Sequence, residues 1–445
     1  VTKAWFHNKL FDSIPIAPLV TFRIVFGSLM VASIFRFWTN GWIEQQFVEP
    51  SFHFKYFGFH WIPDPTSAVI YAIFLFMGIA AAMIILGLFY RYAAAAFFVL
   101  FTYVELIDAT YYLNHYYFVS LVSFLMIFLP AGKQASLDVA LGWVKPVNKV
   151  AAWTIGLLMF QLGVVYCLAG IAKLNYDWLV EAMPLAIWLP TQAHLPVLGP
   201  LMEWWASPHL FSWFGALYDL SIPFLLLWRP TRPFAYLAVI VFHMLTWWMF
   251  QIGMFPFIMI GATLIFFPSH YHERWHKAFR LPAWRPVSER FQWPSMVHRN
   301  RLVMVLGCYV LIQCLFPFRN LLYPGDPLWH EQGYRFGWRV MLVEKAGYAQ
   351  FKVHAANGGE IWVDNDEFLT PVQEKMMATQ SDFILQYAAH LKAHYEKEGV
   401  SVEQVSADVR VSYNGRGSQP YIDEHVDLAS LEDGWSAKTW IKPLR

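Results

Sequence analysis

The sequence predicts an all-α polytopic membrane bundle of about nine spans, followed by a C-terminal extramembrane α+β domain. Three observations predict it. Charged residues make up 14% of the 445 residues and hydrophobic ones 57%, whereas a soluble domain carries about 25% charge. Nine apolar runs recur between residues 17 and 318, each near the length that crosses a bilayer as a helix. After residue 318 the long runs stop and two-residue alternation takes over.

The nine runs lie near 17–35, 67–90, 92–107, 115–130, 151–171, 209–228, 233–250, 253–268 and 301–318. The first is expected to stay in place as a membrane anchor. Lys and Arg favour cytoplasmic loops. An N-terminus on the inside puts Lys3, Lys9, Arg91, Lys133, Lys145, Lys149, Arg229, Arg232 and the basic stretch 269–300 on the inner side. The outer segments 36–66, 108–114 and 172–208 are poorer in Lys and Arg and rich in Trp, Phe and Pro. Such loops are expected to lie in the interface or fold back into the bundle. Everything after 318 then lies outside, so the division is a transmembrane helical domain over 1–318 and an extracytoplasmic α+β domain over 319–445.

In that outer domain, residues 339–363 alternate like strands, with Asn357-Gly358 as a hairpin turn. Residues 371–397 read as one amphipathic helix entered at Pro371. Residues 402–413 alternate again and end at Asn414-Gly415.

Composition excludes several classes. A net charge of +1 gives no reason to expect nucleic acid as a partner. The three cysteines, Cys167, Cys308 and Cys314, lie in apolar runs and suit neither a disulfide framework nor a zinc site. No His/Cys/Asp/Glu cluster has metal-ligand spacing. His270, His272 and His276 read as part of a basic interfacial loop. The sequence holds no phosphate-binding loop, dinucleotide fingerprint or nucleophile elbow.

Ionisable groups near membrane depth are costly and therefore informative. Lys173 closes the fifth run in AGIAKLNYDW (169–178), with Gly163, Cys167 and Gly170 forming a small-residue stripe beside it. Such a stripe admits a neighbouring helix or a flat ligand. Asp177 falls one turn later, so a snorkelling lysine paired with Asp177 is the plain alternative. His115 follows Asn114 in LIDATYYLNHYY (106–117), with Asp108 seven residues earlier. An interfacial histidine among tyrosines is the alternative there. His243 sits mid-run in FHMLTWWMFQIGMF (242–255), where a buried imidazole needs a partner. It is either a packing histidine or a ligand contact.

These three segments resemble those of the vitamin K-dependent gamma-glutamyl carboxylases. FRIVFGSLMV (22–31), GLFYR (87–91), WHEQGYRFGWRVML (329–342) and TWIKPL (439–444) are similar too, so the likeness runs in order along nearly the whole chain. The resemblance implies a lyase-class carboxylase and epoxidase. It would oxygenate a reduced vitamin K (phylloquinol or menaquinol) with O2, and the quinone alkoxide so formed would take a γ-proton from a protein glutamate, to which CO2 adds. By position, Lys173 would deprotonate the hydroquinone and His115 would serve the carboxylation half. Asn114 would orient His115 or the quinone, with His243, Gly170, Asp108 and Trp178 around the cofactor. No metal is implied. The implied partners are a glutamate-containing protein or peptide, a quinone reductase for recycling, and membrane lipid.

A lysine acts as a base near neutral pH only where its charged form is disfavoured, as loss of water does. Asp177 is therefore expected to point elsewhere or to be engaged by another group. Animal relatives carry Lys-Lys where this chain has Ala172-Lys173, and the compact form suggests a bacterial inner membrane with the site facing the periplasm. A quinol oxygenase without carboxylation, and a non-catalytic quinone- or lipid-binding protein, are the competing readings.

Overall fold

A computed structural model describes residues 9–278 and 295–445. Lys3 and the basic residues within 279–294, part of the orientation argument, lie outside the described residues. Each of the nine apolar runs forms a helix: α1 (Ala17–Thr39), α2 (Ser67–Leu86), α3 (Tyr90–Ile107), α4 (Asn114–Phe128), α5 (Ala152–Ala172), α6 (Ser207–Leu227), α7 (Arg232–Met249), α8 (Phe255–Thr263) and α9 (Met296–Leu315). Among the described residues six are long and apolar enough to cross a membrane: α1, α2, α3, α5, α6 and the helix that begins with α9. Helices α4 and α8 are shorter. Helix α7 has 18 residues, with Arg232, His243 and two adjacent tryptophans diluting its apolar character.

Local chemistry sets the helix ends. The run expected over 67–90 stops at Leu86, because Gly87 adopts a left-handed conformation (φ 63°) and Leu88 N–H bonds back to the Met83 carbonyl. A Cβ on Gly87 would meet Ser136 Cβ at 2.4 Å and an Arg23 nitrogen at 2.6 Å. Arg23 is wholly buried and donates to the carbonyls of Ala131, Gln134 and Ala135. Asp138 accepts from the amides of Phe89 and Tyr90 at 2.7 and 3.1 Å, capping α3. The histidines of 269–276 do not lie in a loop. They belong to a helix (Ser269–Ala278) whose His272 and His276 are buried against Thr21, each 2.9 Å from its hydroxyl. Imidazoles that find a buried partner lose the reason to stay in solvent.

The C-terminal region holds a four-stranded antiparallel sheet in the order β2-β1-β3-β4: β1 (Lys345–Ala355), β2 (Glu360–Trp362), β3 (Val402–Tyr413) and β4 (Arg416–Pro420). The expected turn at Asn357-Gly358 is present, with Gly358 at φ 82°. Strand β3 spans the expected 402–413, and its Val405, Ala407, Val409, Val411 and Tyr413 are buried at alternate positions. The single helix expected over 371–397 is two, α10 (Pro371–Met377) and α11 (Ser381–Lys397). Tertiary contacts break it. Lys345 binds the Thr379 carbonyl, Arg335 binds the Gln380 side chain, and Gly347 approaches Ala378 so closely that a Cβ would lie 2.6 Å from its oxygen. Phe383, Tyr387 and Leu391 of α11 pack on the sheet, and each such buried apolar side chain contributes roughly 1.5–3 kcal/mol.

The aromatic segments 36–66 and 172–208 fold between helices and sheet. Phe54 lies 4.7 Å from Phe383, Lys55 exchanges two hydrogen bonds with Gln386, and the Phe52 carbonyl accepts from Gln373. One apolar core therefore spans the helix ends nearest the sheet, both segments and the sheet itself. That junction holds the cavities described next.

Candidate active site between bundle and sheet

Lys173 caps the C-terminal end of α5, and Asp219 projects from the middle of α6. The two helices pack closely at Gly170, where a Cβ would lie 2.8 Å from Leu220. The small-residue stripe thus admits a helix, and that approach brings the charges together. Lys173 Nζ donates to Asp219 Oδ2 at 2.7 Å, and both side chains are 8% exposed. Lys173 does not pair with Asp177. Instead Asp177 takes two hydrogen bonds from Arg416, at 2.7 and 2.8 Å, and one from Asn414 at 2.8 Å. The Arg416 guanidinium holds the Asp177 carboxyl below its ordinary range.

Lys173 and Asp219 line a cavity of about 100 Å³. Its other walls are mostly apolar and aromatic, including Phe211, Phe242, Phe250 and Phe255. The Trp178 ring lies 5.3 Å from Lys173 Nζ, and its indole N–H is fixed on the Ser212 carbonyl. His243 is 1% exposed. Its Nε2 meets the Tyr166 hydroxyl at 3.0 Å, while Nδ1 has no hydrogen-bond partner among the described residues. A buried polar atom left unpaired is costly, which marks Nδ1 as a contact for something else.

A second cavity, of about 590 Å³, adjoins the first. His115, near the N-terminus of α4, lines it and is 7% exposed. Asn114 also lines it, but its amide donates to the Arg339 carbonyl at 3.0 Å and accepts from Tyr112 at 3.1 Å. It is therefore fixed to the C-terminal segment and not to His115. The lining includes Arg36, Arg335, Arg339, Lys345 and Lys375 against Glu331 and Glu344. Arg335 is committed to Asp382 and Lys345 to Glu331. Burial would raise the Asp382 carboxyl, but Arg335 beside it holds it below its ordinary value. Arg36 and Arg339 form no ion pair among the described residues, which leaves the cavity cationic.

Ile252, Phe255, Val340 and Met341 line both cavities. The Phe255 ring sits 5.8 Å from His115 and 5.6 Å from His243, between the two imidazoles. The partition is therefore one side chain thick. Of the residues singled out from sequence, Lys173, His243 and Trp178 share the small cavity, and Asn114 and His115 share the large one. Gly170 lies on the α5–α6 seam. Asp108 lines neither cavity. It is a buried node bonded to His53, Thr110 and Gln373 beneath the C-terminal region.

The HTTM domain family matches residues 11–271. The family described as the vitamin K-dependent gamma-carboxylase lumenal domain matches residues 298–445. The chain belongs to the vitamin K-dependent gamma-carboxylase family. No solved structure matches it. The first match covers most of the helical part and the second the sheet-bearing part, and residues of both line the two cavities. Apolar helices and a lumenal-type C-terminal region make this gamma-carboxylase relative a membrane protein. Among the described residues no group of three or more His, Cys, Asp or Glu is arranged to hold a metal ion.

The sequence reading missed Asp219, Tyr166 and Phe255. Asp219 had a signal: it is the sole acidic residue in its apolar run, and the rule that singled out Lys173 applies to it equally. Phe255 closes the segment 242–255 that carries the family resemblance, yet nothing local distinguished it from its aromatic neighbours, and Tyr166 had no signal, since aromatic residues are common in the spans of this chain.

Proposed function

We propose that this protein couples O2-driven epoxidation of a reduced vitamin K-type quinol to γ-carboxylation of glutamate in a protein or peptide. The observation that carries the reading is the buried Lys173–Asp219 pair in an apolar cavity, one side chain away from a cationic cavity bearing His115. The residues of the smaller cavity suit a quinol in kind. Aromatic walls suit a flat ring, and Lys173, Tyr166 and the unpaired Nδ1 of His243 suit its oxygens. The volume is below the ~300–1,000 Å³ usual for small-molecule sites, so entry requires the Phe and Met side chains of the lining to part.

When bound, the quinol supplies with O2 the strong base that removal of a glutamate γ-hydrogen requires. Lys173 Nζ takes the hydroxyl proton once its own ammonium proton has passed to Asp219 along the hydrogen bond that joins them, and Asp219 keeps the amine oriented. His243 and Tyr166 hold the remaining oxygen. Trp178 and Phe255 keep water from the reacting groups. In the larger cavity Arg36 and Arg339 hold the substrate carboxylate, and His115 donates a hydrogen bond where charge develops as CO2 adds.

The charge pattern of the inner loops, together with a lumenal-type C-terminal region, supports nine spans with the N-terminus in the cytoplasm. The site then faces the periplasm of a bacterial inner membrane, where menaquinol is the available quinol and a quinone reductase recycles the product. The test is purified protein supplied with reduced vitamin K, O2, labelled bicarbonate and a glutamate peptide. Epoxide together with label in the peptide is expected. Epoxide without label would indicate a quinol oxygenase, and neither product would indicate a quinone- or lipid-binding protein.

A further inference from the structure

We propose that Asp177, Asn414 and Arg416 form a clasp that positions the partition between the two cavities. The proposal rests on the carboxylase reading for its catalytic consequence, and on geometry alone for the clasp.

Asn414 (φ 45°) and Gly415 (φ 78°) form the turn between β3 and β4, with two successive left-handed residues that tighten the hairpin. The turn points at the loop following α5. Arg416 binds both oxygens of Asp177, and Asn414 Nδ2 binds one of them. A two-point Arg–carboxylate contact fixes direction as well as distance. It is also sheltered, since the Asp177 side chain is 13% exposed. Met183 and Ile187 of the same loop close over Gly415, at 3.4 and 3.7 Å from a Cβ placed there.

The other end of the Asn414 amide faces the sheet. Its Oδ1 accepts from the Glu344 backbone N–H at 2.9 Å, and the Asn414 backbone N–H donates to the Glu344 carbonyl at 2.9 Å. The Glu344 carboxylate accepts from the indole of Trp188, in that same loop, at 2.7 Å. Glu344 lines the larger cavity and follows, by three residues, Met341, which with Val340 walls both cavities. Asp177 in turn precedes Trp178, the ring beside Lys173. The buried Asn414 side chain therefore ties the Trp178 loop to the segment that leads into β1 and carries the partition. Trp178 is already held on α6 through Ser212. What the clasp adds is the seat of the Val340–Met341 segment relative to Lys173.

These are positioning residues, because none of the three lines either cavity. Loosening the clasp should spoil transfer between the cavities more than the quinol chemistry within one of them. Arg416→Gln and Asp177→Asn each remove the charged contact. In either variant, amide hydrogen exchange over 174–183 and 338–344 should speed up on the order of tenfold. The yield of carboxylated peptide per epoxide should fall several-fold, with the KM for quinol unchanged. The double variant should be no worse than either single one, since both remove one interaction. Unchanged exchange in both folded singles would overturn the clasp whether or not the protein carboxylates. Faster exchange with an unchanged product ratio would overturn its role in positioning. Wild-type protein that makes neither product would defeat the carboxylase reading and with it that role, while exchange alone would still judge the clasp.

Discussion

Lys173→Ala should abolish both epoxide formation and carboxylation while the protein still folds. Among the described residues the lysine is the one Lys or Arg lining the small cavity, and general-base assistance is typically worth 10²–10⁴-fold in rate. Removing it also leaves Asp219 as a buried carboxylate without a counter-charge, an arrangement that costs several kcal/mol unless the acid takes up a proton. Helix α5 has independent packing along its length, so size-exclusion behaviour should stay that of wild type. A small amine added to the assay should restore part of the epoxide, because a proton acceptor is what is missing. Asp219→Asn tests the other half of the pair. It keeps an oxygen for Lys173 but removes the charge, and both products should fall together on the order of tenfold or more. Full epoxide production by Lys173→Ala would remove the lysine from the reaction.

The second large effect is expected at His115, and it should look different. His115 lies across the Phe255 ring from His243 and belongs to the larger cavity. The quinol half-reaction needs the base, the aromatic walls and the contacts of the small cavity, none of which His115 provides. Addition of CO2 needs a donor near the glutamate, and loss of one such contact can cost ~10²–10³-fold. His115→Ala should therefore keep most of its epoxide formation and lose carboxylation, as measured by product analysis of both species in one reaction. Equal loss of both would place His115 in quinol binding. Retention of both would leave it a buried aromatic-belt histidine packed on Tyr116.

Much of this arrangement was legible in the sequence, and the limits have physical causes. Nine helices could be read because burial in lipid demands long apolar runs. Strand β3 was legible because one face is buried and the other is not, which leaves a two-residue period. The break between α10 and α11 was not legible. Residues 378–380 have an ordinary helical composition, and contacts from Arg335, Lys345 and Gly347, distant in sequence, pull them out of the helix. Lys173 stood out as a costly charge, but its partner did not follow from spacing. Asp177 is one turn away along the chain, yet Asp219 on another helix takes the amine, because Gly170 lets α6 approach. The placement of Asn114 and His115 in a cavity separate from Lys173 depends on Phe255 and Met341. Packing between distant segments sets those positions, and no local pattern announces them.

If the Lys173 cavity generates the base that removes a glutamate γ-hydrogen in the adjoining cavity, a peptide tritiated at the glutamate γ-carbon should lose its tritium during turnover. Wild-type protein should release tritium only when reduced quinol and O2 are both present, and should do so even without bicarbonate, since hydrogen removal precedes CO2 addition. Lys173→Ala should release none above background. Epoxide accumulating in the wild type with no tritium release at any peptide concentration would mean that the base made beside Lys173 does not reach the glutamate.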